Sequence, residues 1–130
     1  MTTYNGIKVL IAEDDTLSQR VVQMLMKTLG CQAVIVENGR DAVSAFGQDE
    51  YKLVLLDYEM PQLDGPAAAA AIRSGEQSQG GTHRVLIYAM TGHSGNEELT
   101  RCRESGMDGH LLKPLSVDKL RAVLDEAVSR

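Results

Sequence analysis

The chain has 130 residues, the size of one domain, and its 43% hydrophobic and 24% charged residues exclude both a disordered tail and a membrane protein. With 13 basic against 18 acidic residues the net charge is −5, which leaves no basic footprint for direct nucleic-acid binding. No apolar run approaches about 18 residues and residues 1–6 lack signal-peptide character, so a single cytoplasmic domain over 1–130, with no membrane contact and no output domain, is expected.

The first of five short apolar runs covers residues 9–12 and is followed by Glu13, Asp14 and Asp15. Leu17, Val21, Leu25 and Leu29 then recur at helical spacing as far as Gly30, a C-terminal stop, with Asp15 or Thr16 placed to cap the start. A second run at 33–36 leads through the Asn38-Gly39 turn to a short helix over 40–46. The third run, 53–56, ends at Asp57. Asp64-Gly65-Pro66 is turn chemistry, with Asp64 positioned to cap a helix over 67–72 opened by Pro66. Residues 74–83 are polar and contain Gly80-Gly81, which predicts a surface loop.

The fourth run, 85–89, precedes Met90-Thr91-Gly92. A weak helix over 96–105 has only Leu99 and Cys102 on its apolar face. The fifth run, 109–112, leads into Lys113-Pro114, and Leu115, Leu120, Val123, Leu124, Ala127 and Val128 mark a final helix. Cys31 and Cys102 have no metal-ligand spacing and read as thiols in a reducing compartment.

Apolar runs that do not alternate suit strands covered on both faces, and strand–helix repetition suits a doubly wound parallel α/β sheet. In such sheets ligands bind beyond the carboxyl ends of the strands. Those ends carry Glu13 and Asp14, Asp57, Thr91 and Lys113. Several carboxylates at one edge repel unless a cation joins them, and hard oxygen donors with room for water suit magnesium, with manganese as a substitute. Asp57 could then act as a nucleophile toward phosphorus, with Thr91 and Lys113 donating to the phosphoryl oxygens. Each residue alone has an ordinary structural role: a helix cap for Asp15 or Thr91, a turn for Asp57, a solvated side chain for Lys113. Those roles do not account for their joint placement at four strand ends.

These residues sit in strings that resemble the receiver domain of two-component response regulators over residues 6–129. They are Lys8-Val9-Leu10-Ile11-Ala12-Glu13-Asp14-Asp15, residues 53–65 around Leu56-Asp57-Tyr58-Glu59-Met60-Pro61, residues 86–93 around Met90-Thr91-Gly92, and Leu111-Leu112-Lys113-Pro114. The resemblance implies a flavodoxin-like (βα)5 fold, a doubly wound five-stranded parallel sheet in the order 2-1-3-4-5. It implies Asp57 as phosphoacceptor and Thr91 and Lys113 as its partners. Magnesium would be held by Glu13, Asp14, Asp57 and the backbone carbonyl of Glu59, and the Lys113-Pro114 peptide would be cis. The activity implied is a signalling switch that catalyses only its own phosphoryl transfer and dephosphorylation, rather than an enzyme acting on other substrates.

Two positions depart from the commonest family pattern. His110 stands where an aromatic usually reports phosphorylation, and Gly92 replaces a more frequent alanine. Glu59 and His93, two residues beyond Asp57 and Thr91, are candidates for tuning phosphoryl lifetime. The implied partners are a histidine kinase or histidine phosphotransfer protein, with Leu17, Ser18 and Leu115 as candidate contacts, and a downstream protein target. The implied oligomeric state is monomer or weak homodimer. A magnesium-dependent Toprim-like phosphodiester hydrolase and a phosphate-independent interaction module are the alternatives. The −5 charge argues against the first, and the complete set of Asp57, Thr91 and Lys113 argues against the second.

Overall fold

A parallel strand between two helical layers must be apolar on both faces, and all four residues of the third run, 53–56, are buried. In the computed structural model, which describes residues 4–78, 84–92 and 95–129, the runs form β1 (Lys8–Ala12), β2 (Gln32–Val36), β3 (Leu53–Asp57), β4 (Leu86–Thr91) and β5 (Gly109–Leu112). They pair in parallel in the expected order, β2-β1-β3-β4-β5. The helices between and after them are α1 (Thr16–Leu29), α2 (Gly39–Phe46), α3 (Gly65–Ser78), α4 (Asn96–Glu104) and α5 (Val117–Val128).

Successive strand residues point to opposite faces, so the sheet divides the core in two. Val9, Ile11, Leu53 and Leu55 pack with Val22 and Met26 of α1 and Leu120, Val123 and Leu124 of α5. Leu10, Ala12, Val54 and Leu56 face Ala42 of α2, Ala68, Ala69 and Ile72 of α3, and Cys102 of α4. The alanines of α3 let that helix lie close to the sheet.

Capping follows the side chains available. Asp15 accepts from Ser18 N–H (2.8 Å), Asn38 from Asp41 N–H (2.8 Å), Asp64 from Ala67 N–H (2.9 Å) and Ser116 from Lys119 N–H (3.2 Å). The alternative role for Thr91 fails, because α4 begins five residues later with Gly95 as its N-cap. The Lys113-Pro114 peptide is cis.

Two expectations need correction. The buried face of α1 is Val22, Met26 and Leu29, whereas Leu17 (70%), Val21 (44%) and Met24 (70%) are exposed. The helix carries two apolar stripes rotated by about one residue, and hydropathy alone does not choose between them. Gly30, in the left-handed region at φ 84°, ends the helix with Cys31 N–H reaching Met26 O, and Leu29, common to both stripes, is buried.

The helix at α3 runs to Ser78, well past the expected end at Ile72. Arg73 and Glu76 hold the extra turn. Arg73 donates to Val85 O (2.7 Å), Gly106 O (2.9 Å) and Asp108 (2.9 Å), and pairs with Glu76 (2.9 Å), which itself accepts from Val85 N–H (2.7 Å). A polar composition read as loop is thus a helix tied to the amino ends of β4 and β5. Residues 79–83 of the expected loop lie outside the described residues.

Candidate functional site

Glu13 follows β1 with its backbone held on both sides, its N–H donating to Val36 O (3.0 Å) and its carbonyl accepting from the Gln19 side chain (2.6 Å). Asp57 is the last residue of β3 and Thr91 the last of β4, and both are buried. Lys113 extends β5, its N–H donating to Thr91 O (2.8 Å). Its ammonium donates to Glu13 Oε1 at 2.8 Å and stands 3.3 Å from Asp57 Oδ1. The carboxyl ends of β1, β3, β4 and β5 therefore meet at one edge, where a cleft of about 550 Å³ is lined by Asp14, Asp57, Thr91, Lys113 and their neighbours.

One ammonium does not balance this set. Glu13 is 2% exposed and its second oxygen has no hydrogen-bond partner among the described residues. Two carboxylate charges about 4 Å apart repel by about 4 kcal/mol at an effective dielectric near 20. That is close to three pKa units. Burial, then the hydrogen bond and the charge of Glu13, push the Asp57 carboxyl up to about 8. Burial also pushes Glu13 up, but the hydrogen bond with Asp57 and the Lys113 ammonium hold it below its ordinary value. Burial works to lower Lys113, and Glu13 and Asp57 outweigh it, so the ammonium is kept charged. Without a second cation, burial and the repulsion from Glu13 favour the protonated form of Asp57.

The donor set fits a hard divalent cation. Glu13, Asp14 and Asp57 each offer a carboxylate oxygen, all within 4.8 Å of one another, and one buried Glu13 oxygen lacks a partner. Asp14 is exposed toward the open side, leaving room for water or a phosphate oxygen.

The expected residues divide clearly. Glu13, Asp14, Asp57, Thr91 and Lys113 converge, and Glu59 and Gly92 line the same cleft. His110 is half-buried on β5 opposite Ala89 and does not line the cleft. His93 lies outside the described residues. Leu17 is on the surface, Ser18 is half-buried, and Leu115 is half-buried against the core.

Sequence reasoning missed Glu98, which reaches the cleft from the first turn of α4, and Tyr58, which lines it beside Asp57. It also missed Arg101, which lies over the Tyr58 ring at 5.9 Å and pairs with Asp64 at 2.8 Å. The adjacency of Tyr58 to Asp57 was the one available signal. Glu98 and Arg101 gave none, since their placement depends on how α4 is set against the β3–α3 loop.

A family model described as the response regulator receiver domain matches residues 9–125. The chain is 37% identical over 117 residues to the sensor protein GacS of Pseudomonas syringae pv. syringae, covering 90% of this chain and 13% of that protein. It is 34% identical over 124 residues to the transcription factor SKN7 of Saccharomyces cerevisiae, covering 95% and 19%. The chain thus spans less than a fifth of the length of these curated relatives.

Among solved structures, the receiver domain of the sensor histidine kinase PA1611 from Pseudomonas aeruginosa, with magnesium coordinated in its active-site cleft, superposes with a TM-score of 0.86. It is 29% identical, covering 96% of this chain and 99% of that one. The receiver domain of Ssk1 from S. cerevisiae, crystallised with the histidine phosphotransfer protein Ypd1, gives a TM-score of 0.88 at 25% identity, covering 96% and 90%. With the family match spanning most of its length, the chain belongs to the response regulator receiver domain family and is a receiver of two-component and phosphorelay signalling.

Proposed function

We propose that this receiver takes a phosphoryl group onto Asp57 from a phosphohistidine of a histidine kinase or phosphotransfer protein, and that the modified chain changes its affinity for a downstream protein. One observation carries the reading: the Lys113 ammonium lies between the Glu13 and Asp57 carboxylates at the mouth of an open cleft. An Asp57 oxygen forms the bond to phosphorus as the phosphorus–nitrogen bond of the donor breaks, the electron pair staying on the imidazole. Glu13, Asp14, Asp57 and the Glu59 carbonyl are the residues that would hold magnesium, which when bound neutralises carboxylate and phosphoryl charge. Lys113 shares the charge of the transferred oxygens, and the Thr91 hydroxyl donates to one of them. Manganese, with the same preference for oxygen donors, substitutes for magnesium.

The new group adds roughly one to two negative charges, enough to bias a two-state loop. Arg101 joins α4 to Tyr58 and Asp64 on either side of that loop, which supports α4 as the element that responds. Glu59, at the cleft, and His93 tune how long the phosphoryl group lasts, and His110 occupies the position of the usual aromatic reporter without supplying its ring. Among the described residues no helix is long and apolar enough to cross a membrane. The reading places the reaction in the cytoplasm, in a monomer or weak homodimer.

Intact mass after incubation with magnesium and acetyl phosphate tests this. The wild-type chain gains one labile phosphate and Asp57→Asn gains none. Absence of the adduct with several donors would overturn the reading.

A further inference from the structure

Lys119 lies in the first turn of α5, where its N–H donates to Ser116 Oγ. A cation there opposes the helix dipole, which favours negative charge at that end by about 0.3–1 kcal/mol. Among the described residues no carboxylate comes within ion-pair distance of its ammonium. The ammonium instead donates to Leu112 O at 2.8 Å and to Pro114 O at 2.9 Å, the two carbonyls that bracket Lys113. Because β5 is the edge of the sheet, no further strand is present to take up carbonyls on its outer side. Between the two contacts, Lys113 N–H is held inward by Thr91 O at 2.8 Å. The segment 112–114 is thus fixed toward β4 on one side and toward α5 on the other, and from it the Lys113 side chain reaches Glu13 and Asp57.

We propose that Lys119 is a positioning residue for phosphoryl transfer: one ammonium clamps both carbonyls flanking Lys113, and so keeps the Lys113 ammonium aimed between Glu13 and Asp57. This rests on the reading of Asp57 as phosphoacceptor. Lys119 touches neither the phosphoryl group nor the carboxylates. Its effect passes through Lys113, and small misplacements of a charge-stabilising group are costly in rate.

The test compares wild type, Lys119→Met, Lys119→Arg, Lys113→Ala and the Lys113→Ala/Lys119→Met double variant, phosphorylated by acetyl phosphate with magnesium. Lys119→Met should lower the rate at saturating donor roughly fivefold to tenfold. Its urea midpoint should match wild type, since Lys119 makes no part of either core cluster; general destabilisation would lower the midpoint and the rate together. Lys119→Arg, which keeps two donors, should restore most of the rate. The double variant should be no slower than Lys113→Ala alone, because the clamp then has nothing left to aim. A wild-type rate for Lys119→Met, or losses that add in the double variant, would overturn the clamp. A wild-type chain that takes no phosphoryl group from any donor would instead overturn the phosphoacceptor reading, and the clamp with it.

Discussion

Lys113 bridges Glu13 and Asp57, standing 2.8 Å from the first and 3.3 Å from the second, yet burial and the neighbouring Glu13 still push the Asp57 carboxyl up to about 8. A divalent cation needs that carboxylate ionised, so metal binding and proton release are linked. Below about pH 8 the apparent magnesium affinity should fall by up to tenfold per pH unit, and above it the affinity should level off. Tyr58 lines the cleft and the chain has no tryptophan, so tyrosine emission during magnesium titrations at pH 6 to 9 reports this directly. A flat affinity between pH 6 and 8 would mean that Asp57 is already ionised without metal.

The same proton predicts a stability gain on removing the acid. Asp57 binds its proton more tightly folded than unfolded, so its contribution favours the fold fully below about pH 4 and is lost as the pH rises through about 8. Asp57→Asn should therefore stabilise the metal-free chain at pH 8 by on the order of 2 kcal/mol, with a smaller gain at pH 5. Urea unfolding in the presence of a chelator measures both, and equal gains at the two pH values would contradict the assignment of the proton to Asp57.

The charged part of this site was legible because strand ends are marked in sequence by where apolar runs stop. Glu13, Asp57, Thr91 and Lys113 each follow or close such a run, and parallel topology brings those ends to one edge. Helix faces were less legible. Leu17 and Val21 satisfy helical spacing as well as Val22 and Met26 do, and only the packing of α1 on the core shows which pair is buried. The last turn of α3 was missed because Arg73 and Glu76 look like solvated charges until Val85, Gly106 and Asp108 are placed beside them. Lys119 was hidden in the same way, its partners being backbone carbonyls that carry no sequence signal.

Two glycines close to the site should respond oppositely to alanine. A Cβ on Gly65 would stand 2.5 Å from Asp57 O, a backbone atom that cannot give way without moving the strand that carries Asp57. Gly65→Ala should cost about 2 kcal/mol and slow phosphorylation, since Gly65 N–H also donates to Tyr58 O at 3.0 Å. A Cβ on Gly92 meets nothing within 4 Å, so Gly92→Ala should change stability by less than about 0.5 kcal/mol. Urea midpoints for the two variants check the contrast, and equal losses would contradict it.

The outward face of α1 should distinguish phosphorylation by small molecules from phosphorylation by proteins. Leu17, Val21 and Met24 are spaced i, i+4, i+7 on one side of the helix and all are exposed, while the opposite side carries the core residues Val22, Met26 and Leu29. The helix begins immediately after the Glu13–Asp15 segment, so a protein seated on this face lies next to the cleft that holds Asp57. Each exposed side chain covered by such a partner adds roughly 1.5–3 kcal/mol of apolar burial, whereas a carboxylate in its place must be desolvated. Leu17→Glu should therefore slow transfer from a phosphohistidine-bearing protein that phosphorylates wild type by more than about tenfold. Its rate with acetyl phosphate should stay within about twofold of wild type and its urea midpoint should be unchanged, because Leu17 makes no part of the core. Parallel time courses with the two donors decide the matter: a loss with both would place Leu17 in the chemistry of the cleft, and a loss with neither would move the donor to another face.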